Sequence, residues 1–392
     1  MLPKAAELKG MTMTDTLADN EKSKDLSNLL DISLTMIEKT DLSSLLSLIM
    51  EEATKTMHAD RSTLYLIDRD RNELVSFIAQ QSGIKEIRLP MGMGIAGHVA
   101  ETGKTANIED AYKNPLFNKE TDIQTGYITR TVLCVPMKNR EGEIIGVLQV
   151  LNKKTGLFTE YDEWLFRTYA AYAATAIENA RLHEEREKTF LSAIKALAAA
   201  IDRRDPVTAG HSERVARLSV DIGKSVGLTK TELKMLNYAA TLHDVGKIGV
   251  RDNVLLKPDK LTSEERNEMN RHSRYTKEIL EEVYFTKEYK SIPGIAAMHH
   301  ERLDGTGYPY GLKAEQLNTF GRIIAVADIF DALMSFDRPY KKALSLPETL
   351  DIIRNEAEKN HLDTNIVKIF IEKKVYRDTF PGIENPDYRH KR

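Results

Sequence analysis

The sequence predicts two domains of different class, an α+β domain and then an all-α domain, joined by a long helix. Three observations carry this. At 392 residues the chain exceeds what one ordinary core takes up, so two domains are expected. Strand-like runs, rich in branched and aromatic residues and bounded by turn residues, stop after 143–151. Residues 160–203 contain no Pro or Gly and are rich in Ala, Glu and Leu, the composition of one long helix. Beyond them the chain is helical in character, interrupted by polar loops.

Composition narrows the function classes. A hydrophobic content of 41% with 29% charged residues is that of a soluble globular protein. A net charge of −3 gives no general affinity for nucleic acid polymers or membranes. No apolar run is long enough for a membrane helix, and the N-terminus lacks the apolar core of a signal peptide, so a cytoplasmic location is expected. The single cysteine, Cys134, excludes an internal disulfide and sits in an apolar run, which reads as a buried, inert thiol.

Taken in order, residues 1–25 are polar and expected to lack fixed structure. Leu26, Leu30, Leu34 and Ile37 then recur at helical spacing, and Leu42, Leu45, Leu46 and Ile49 continue it after a break at Thr40-Asp41, a capping pair for a second helix. Strands are expected at 62–67 and 73–78 around the charged turn 68–72. Residues 87–90 lead into the glycine-rich 92–97, read as a turn entering a short helix rather than as a phosphate loop. Strands at 132–136 and 143–151 complete an antiparallel sheet packed by helices. At its end, Lys153 and Asp162 are placed to pair and pin the sheet to the following helix. His58 and His98 read as structural histidines.

Along the connecting helix, Leu165, Tyr169, Tyr172, Ala176, Asn179, His183, Arg186, Phe190, Ala193 and Leu197 follow 4-3 spacing. That pattern predicts a parallel two-stranded coiled coil, hence a homodimer. His183 in it reads as a solvated residue.

The second half carries the chemistry. His299 and His300 are adjacent, followed by Glu301, Asp304 and the glycine-rich Gly305-Thr-Gly307-Tyr308-Pro309. Neutral imidazole is the commonest protein ligand for intermediate divalent metals. Upstream lie His211 at the start of a helix, His243-Asp244 with Lys247 three residues on, and His272; downstream Asp328 interrupts an apolar helix face. A buried carboxylate needs a partner, and a metal is sufficient. Lys247 beside dications suits binding a substrate phosphate or protonating a leaving oxygen. Glu301 and Asp304 read as braces of the glycine loop.

The element order over 26–182 resembles a GAF domain. Asn152, Lys153, Phe158 and Asp162 are similar to the motif of cyclic-nucleotide-binding GAF domains, which implies a sensory domain with a small-molecule ligand, a cyclic nucleotide among them. The histidine motifs over about 190–365 resemble the HD-GYP family of metal-dependent phosphodiesterases acting on cyclic di-GMP. The domain boundaries implied are an extension over 1–25, the GAF domain over 26–182, the HD-GYP domain over 183–375 and an irregular extension over 376–392.

This second resemblance implies one metal on His211, His243, Asp244 and Asp328, and another on Asp244 as bridge with His272, His299 and His300. Val207 stands where some members place a carboxylate for a third ion, so two divalent cations are expected: iron first, with manganese or zinc as alternatives. Gly307 and Tyr308 shape the loop beside the substrate; Asp331, Arg338 and Lys341 resemble residues contacting its guanine or phosphate, an arginine matching guanine O6 and N7. Two departures stand out. The segment Met334-Ser-Phe-Asp-Arg338 is one residue longer than usual, and Ser273 and Thr276 replace the family's Pro and Gly. The implied activity is hydrolysis of cyclic di-GMP to pGpG or GMP under GAF control. The alternatives are a receptor that binds without turnover, or a hydrolase of another cyclic dinucleotide.

Overall fold

The protein is described from a computed structural model, which covers residues 13–39, 41–77, 87–205, 210–334 and 344–384. The chain divides into two compact units, Met1–Glu187 and Lys188–Arg392.

The first unit opens with α1 (Met13–Glu38) and α2 (Leu42–Thr56). Asp41 caps α2, its carboxylate accepting the Ser44 N–H at 2.9 Å. Then come β1 (Ala59–Asp68), β2 (Glu73–Phe77), β3 (Arg88–Pro90), α3 (Gly94–Thr102), β4 (Ala106–Ile108), α4 (Lys119–Thr125), β5 (Val132–Lys138) and β6 (Ile144–Lys153). The strands form one sheet in the order β3-β2-β1-β6-β5-β4, with every neighbouring pair antiparallel. Both faces are covered. Leu133 and Val135 of β5 join Leu64, Leu148, Leu45, Ile49 and Tyr169 on one side. Val132 and Cys134 join Tyr65, Val147, Ile95 and Val99 on the other. This period-2 division explains why β5 reads as a continuous apolar run.

The long helix α5 (Glu160–Arg204) is continuous from the first unit into the second. The second unit adds α6 (His211–Ser225), α7 (Lys230–Thr241), α8 (Asp252–Leu255), α9 (Ser263–Glu281), α10 (Ile292–Ala296), α11 (Thr319–Met334), α12 (Leu346–Glu358) and α13 (Thr364–Glu372), and no strand among its described residues. Capping boxes start α7, α9 and α12, at Thr229/Glu232, Thr262/Glu265 and Ser345/Glu348. Helix α11 is apolar on nearly all sides and runs through the core, where Ile323, Ile324, Val326 and Phe330 are wholly buried.

Three expectations change. The N-terminal extension is helical from Met13, and Asp25, on α1, accepts the Tyr161 hydroxyl at 3.2 Å. The 4-3 seam of α5 is divided: Leu165, Tyr169 and Ala176 lie in the core of the first unit and Phe190 packs edge-on against Tyr238 and Phe285, while Tyr172 and Leu197 are exposed. The C-terminal extension is part of the fold as far as it is described. Tyr376, Phe380 and Ile383 are buried in the core of the second unit, at the helical spacing that Pro381 and the surrounding charges disguise.

Candidate metal centre

Five segments deliver the histidine and carboxylate motifs to one place. His211 is the first residue of α6, and His272 sits mid-α9. Asp328 projects from α11. His243 and Asp244 lie in the turn just after α7 rather than within it, and His299 and His300 in the turn after α10. All but His300, which is half-buried, are buried side chains.

The two oxygens of Asp244 face opposite halves of the cluster. Oδ2 lies 3.8 Å from His211 Nε2 and 3.6 Å from His243 Nε2. Oδ1 lies 3.4 Å from His272 Nε2 and 3.7 Å from His299 Nε2. Asp328 closes both halves, with Oδ1 3.2 Å from His211 Nε2 and Oδ2 3.7 Å from His300 Nδ1. The trios His211–His243–Asp328, His243–Asp244–His299 and His272–His299–His300 each hold their ligating atoms within 4.8 Å of one another.

The tautomers argue that these groups suit cations. His243, His272 and His299 each donate Nδ1–H to the carbonyl three residues earlier, at 2.7 Å to Ala240, Met269 and Ala296. Each therefore turns a bare Nε2 lone pair into the cluster, as metal-ligating histidines do. His272 Nε2 and His299 Nε2 then stand 3.2 Å apart, lone pair to lone pair, and His243 Nε2 is buried without a hydrogen-bond partner. Such an arrangement is unfavourable unless a cation lies between. The donor set of nitrogen and carboxylate oxygen fits intermediate divalent metals.

Electrostatics agree. Burial pushes His272 and His299 below the usual imidazole range and His300 down to about 3, which keeps them neutral and able to ligate. Burial acts against ionisation of Asp244 and Asp328 too, but the Lys247 ammonium at Asp244 and the His211 hydrogen bond at Asp328 outweigh it and hold both carboxyls below their ordinary range. Burial would also lower His211, yet the carboxylates of Asp328 and Asp331 push it up to about 10.

Lys247 lies beside the cluster, its Nζ 2.8 Å from Asp244 Oδ2 and 3.2 Å from Asp205 Oδ2. Burial would lower this ammonium; the two carboxylates prevail and hold it above the ordinary lysine range.

Asp331 is not where a ligand could touch it. Its side chain is fully buried, and it accepts His211 Nδ1–H at 2.7 Å and Arg214 at 2.6 and 3.0 Å. The substrate contact expected of it gives way to an orienting role, because the bidentate guanidinium and the imidazole occupy its oxygens. Gly307 holds the loop against the histidine turn: a Cβ there would strike the backbone of Glu301 and Arg302. Tyr308 stacks a tilted ring 4.7 Å from that of His300. Glu301 is buried and accepts the Tyr310 and Leu312 amides at 2.7 and 2.9 Å, the brace expected of it. Arg338, Lys341 and Val207 lie outside the described residues.

Arg214 and Thr276 were not anticipated as parts of the site. Thr276 Oγ1 accepts the Gly246 N–H at 3.0 Å and donates to the His243 carbonyl at 2.8 Å. Each follows a motif histidine by three or four residues, the spacing that returns to one helix face.

In the first unit, the Asn152, Lys153, Phe158 and Asp162 motif is an internal staple. Lys153 pairs with Asp162, which also accepts the Thr159 amide at 2.7 Å. Asn152, in the left-handed region (φ 55), accepts the Arg130 amide and donates to the Ile128 carbonyl. Asn107 donates to the Phe158 carbonyl at 3.1 Å.

Family models described as "GAF domain" and "HD domain" match residues 41–177 and 195–366. The chain is thus a GAF domain followed by an HD domain. It is 44% identical over 168 residues to the cyclic di-GMP phosphodiesterase response regulator RpfG of Xanthomonas campestris pv. campestris, covering 43% of each chain. It is 39% identical over 175 residues to the 3'3'-cGAMP-specific phosphodiesterase 3 of Vibrio cholerae, covering 44% of this chain and 37% of that one. Among solved structures, the GAF domain of a phosphoenolpyruvate-protein phosphotransferase (ptsP) from Coxiella burnetii is 24% identical with a TM-score of 0.37, over 41% of this chain and 96% of that one. The chain spans less than half the length of these curated relatives. No described helix is long and apolar enough to cross a membrane.

Proposed function

We propose that this chain is a metal-dependent phosphodiesterase that opens a cyclic dinucleotide, cyclic di-GMP in the first instance, to pGpG or GMP, under control of its GAF domain. The observation that carries the reading is the division of the cluster by Asp244, with His211, His243 and Asp328 on one side and His272, His299 and His300 on the other. Two divalent cations in such a site supply Lewis acidity toward a phosphodiester and make water nucleophilic at neutral pH.

The chain's own residues do the rest. Asp331 and the carbonyls of Ala240, Met269 and Ala296 fix the imidazole orientations. Lys247, kept protonated between Asp244 and Asp205, neutralises charge on the phosphate or hands its proton to the departing oxygen. The loop of Gly307 and Tyr308 walls the side next to His300, and Arg338 and Lys341 remain the candidates for guanine. A small molecule bound by the GAF domain, a cyclic nucleotide among the candidates, is the proposed regulator, and a homodimer the proposed assembly.

A second substrate has a specific observation in its favour. Two relatives, at 39% and 35% identity, are named as 3'3'-cGAMP-specific phosphodiesterases. Metal-loaded protein, prepared anaerobically with iron, manganese or zinc, should therefore be incubated with cyclic di-GMP and with 3',3'-cGAMP beside Asp244→Ala, and the products resolved by chromatography. Linear dinucleotide or mononucleotide, absent with the variant, is expected. Binding without turnover under all three metals would leave a receptor instead.

A further inference from the structure

We propose that Arg204 is a positioning residue for Lys247, fastening the backbone that carries this lysine to the end of α5. The inference deepens the phosphodiesterase reading and rests on it for one thing only, the part Lys247 plays in turnover.

Arg204 is the last residue of α5, and its guanidinium reaches across to the short 3-10 turn Val245–Gly249. Nη1 donates to the carbonyls of Lys247 and Ile248 at 2.9 and 2.8 Å. Nη2 donates to the Val250 carbonyl at 2.9 Å and to Asp252 Oδ1 at 2.7 Å. The Lys247 carbonyl also takes the Val250 N–H at 3.1 Å, and a rigid planar fork holds it together with the Ile248 and Val250 carbonyls at the end of the turn.

The tip of Lys247 refers to the same helix end, since Asp205, the next residue along, accepts its Nζ at 3.2 Å. One turn back on α5, Asp202 accepts Ser212 Oγ at 2.7 Å and the Ser212 N–H at 3.3 Å, beside the ligand histidine His211. The far side of the turn has no slack. Gly246 lies so close to α9 that a Cβ would strike the His272 carbonyl and the Thr276 nitrogen. The segment bearing Lys247 is therefore gripped between α9 and Arg204, and of the two only Arg204 belongs to α5. Displacement of the α5 end is displacement of Lys247. Because α5 is one helix from Glu160 onward, it is the covalent route by which the first domain reaches the lysine.

The test uses the full-length, metal-loaded chain with Arg204→Ala and Arg204→Lys, read in two ways. Amide hydrogen exchange follows Lys247 and Val250, whose N–H groups donate to the Asp244 and Lys247 carbonyls at 3.0 and 3.1 Å. Steady-state kinetics use whichever cyclic dinucleotide the unaltered chain cleaves. Arg204→Ala should speed exchange at these amides with metal content unchanged. It should lower kcat by about a hundredfold, the cost of misplacing a catalytic group by an ångström, and leave KM in place. Arg204→Lys, which keeps the charge but lacks the fork, should fall between. Added to Lys247→Met, Arg204→Ala should cost nothing further. Unchanged exchange in both variants, or an equal loss in the Lys247→Met background, would overturn the proposal. Should the unaltered chain cleave no cyclic dinucleotide, the phosphodiesterase reading fails, and the exchange measurement still decides whether Arg204 holds the segment.

Discussion

Asp331 takes the Nδ1–H of His211 and, through both oxygens, the Arg214 guanidinium, so it selects the nitrogen that His211 turns to the cluster. Asp331→Ala should lower metal affinity or activity about 10- to 100-fold. Competition with a chromophoric chelator measures it; a raised KM at unchanged affinity would instead restore the substrate contact. The same residues set an acid limit on the metal-stripped protein. Burial holds His272, His299 and His300 below the ordinary imidazole value of 6.5, His300 at about 3. Once unfolded they take up protons near that ordinary value, so below pH 6.5 the unfolded chain binds protons that the folded one refuses, and stability falls with pH. His211 has the opposite sign: its stabilisation is complete below 6.5 and is lost as pH rises through about 10. Urea midpoints of chelator-treated protein should therefore drop from pH 6.5 to 4.5, and a flat profile would mean the imidazoles are not held neutral. The clustered histidines and aspartates were legible in the sequence as candidate ligands because histidine and aspartate in apolar runs have few other uses. Asp331 was legible as functional but not as buried, since only the packing of α6 against α11 shows which carboxylate lies beneath the histidine.

Among the elements, α5 shows where periodicity misleads. A 4-3 pattern is what a coiled-coil seam and a core-facing helix both need, and Leu165, Tyr169 and Ala176 spend theirs inside the first domain. Among the described residues, α1 carries an exposed apolar stripe as well. Leu26, Leu30, Leu34 and Ile37 are 43%, 56%, 62% and 58% exposed, while Leu29 and Met36 face the core. That stripe is a second candidate surface for the proposed homodimer, because contiguous exposed apolar surface marks interaction sites. Leu30→Glu with Leu34→Glu should leave a monomer by sedimentation velocity at concentrations where the unaltered chain is dimeric. A dimer that survives both changes would return the interface to α5. Strands β1, β2, β5 and β6 were read within a few residues, since alternation and turn chemistry are local; the three-residue β3 and β4 were too short to show alternation, and the order of the sheet was not legible because pairing β1 with β6 joins segments far apart in the chain.

For the whole molecule, the class of each domain was readable from where strand-like runs end, but the limit of the second was not. Tyr376, Phe380 and Ile383 complete its core, and Phe330 packs against the first two of these rings. Phe380→Ala should cost about 3–5 kcal/mol of stability in that domain by urea unfolding, as for other buried aromatics. A loss near zero would show that the C-terminal segment is dispensable. Helix α11, which carries Asp328, runs through that same core, so the integrity of the tail and of the site are one property. The facing imidazoles of His272 and His299 extend this to the cell. Only the folded chain holds two lone pairs 3.2 Å apart, so a cation drawn between them favours that form alone. The lifetime of the chain in the cell should therefore rise with metal supply, and a degradation rate unchanged by a chelator would overturn this.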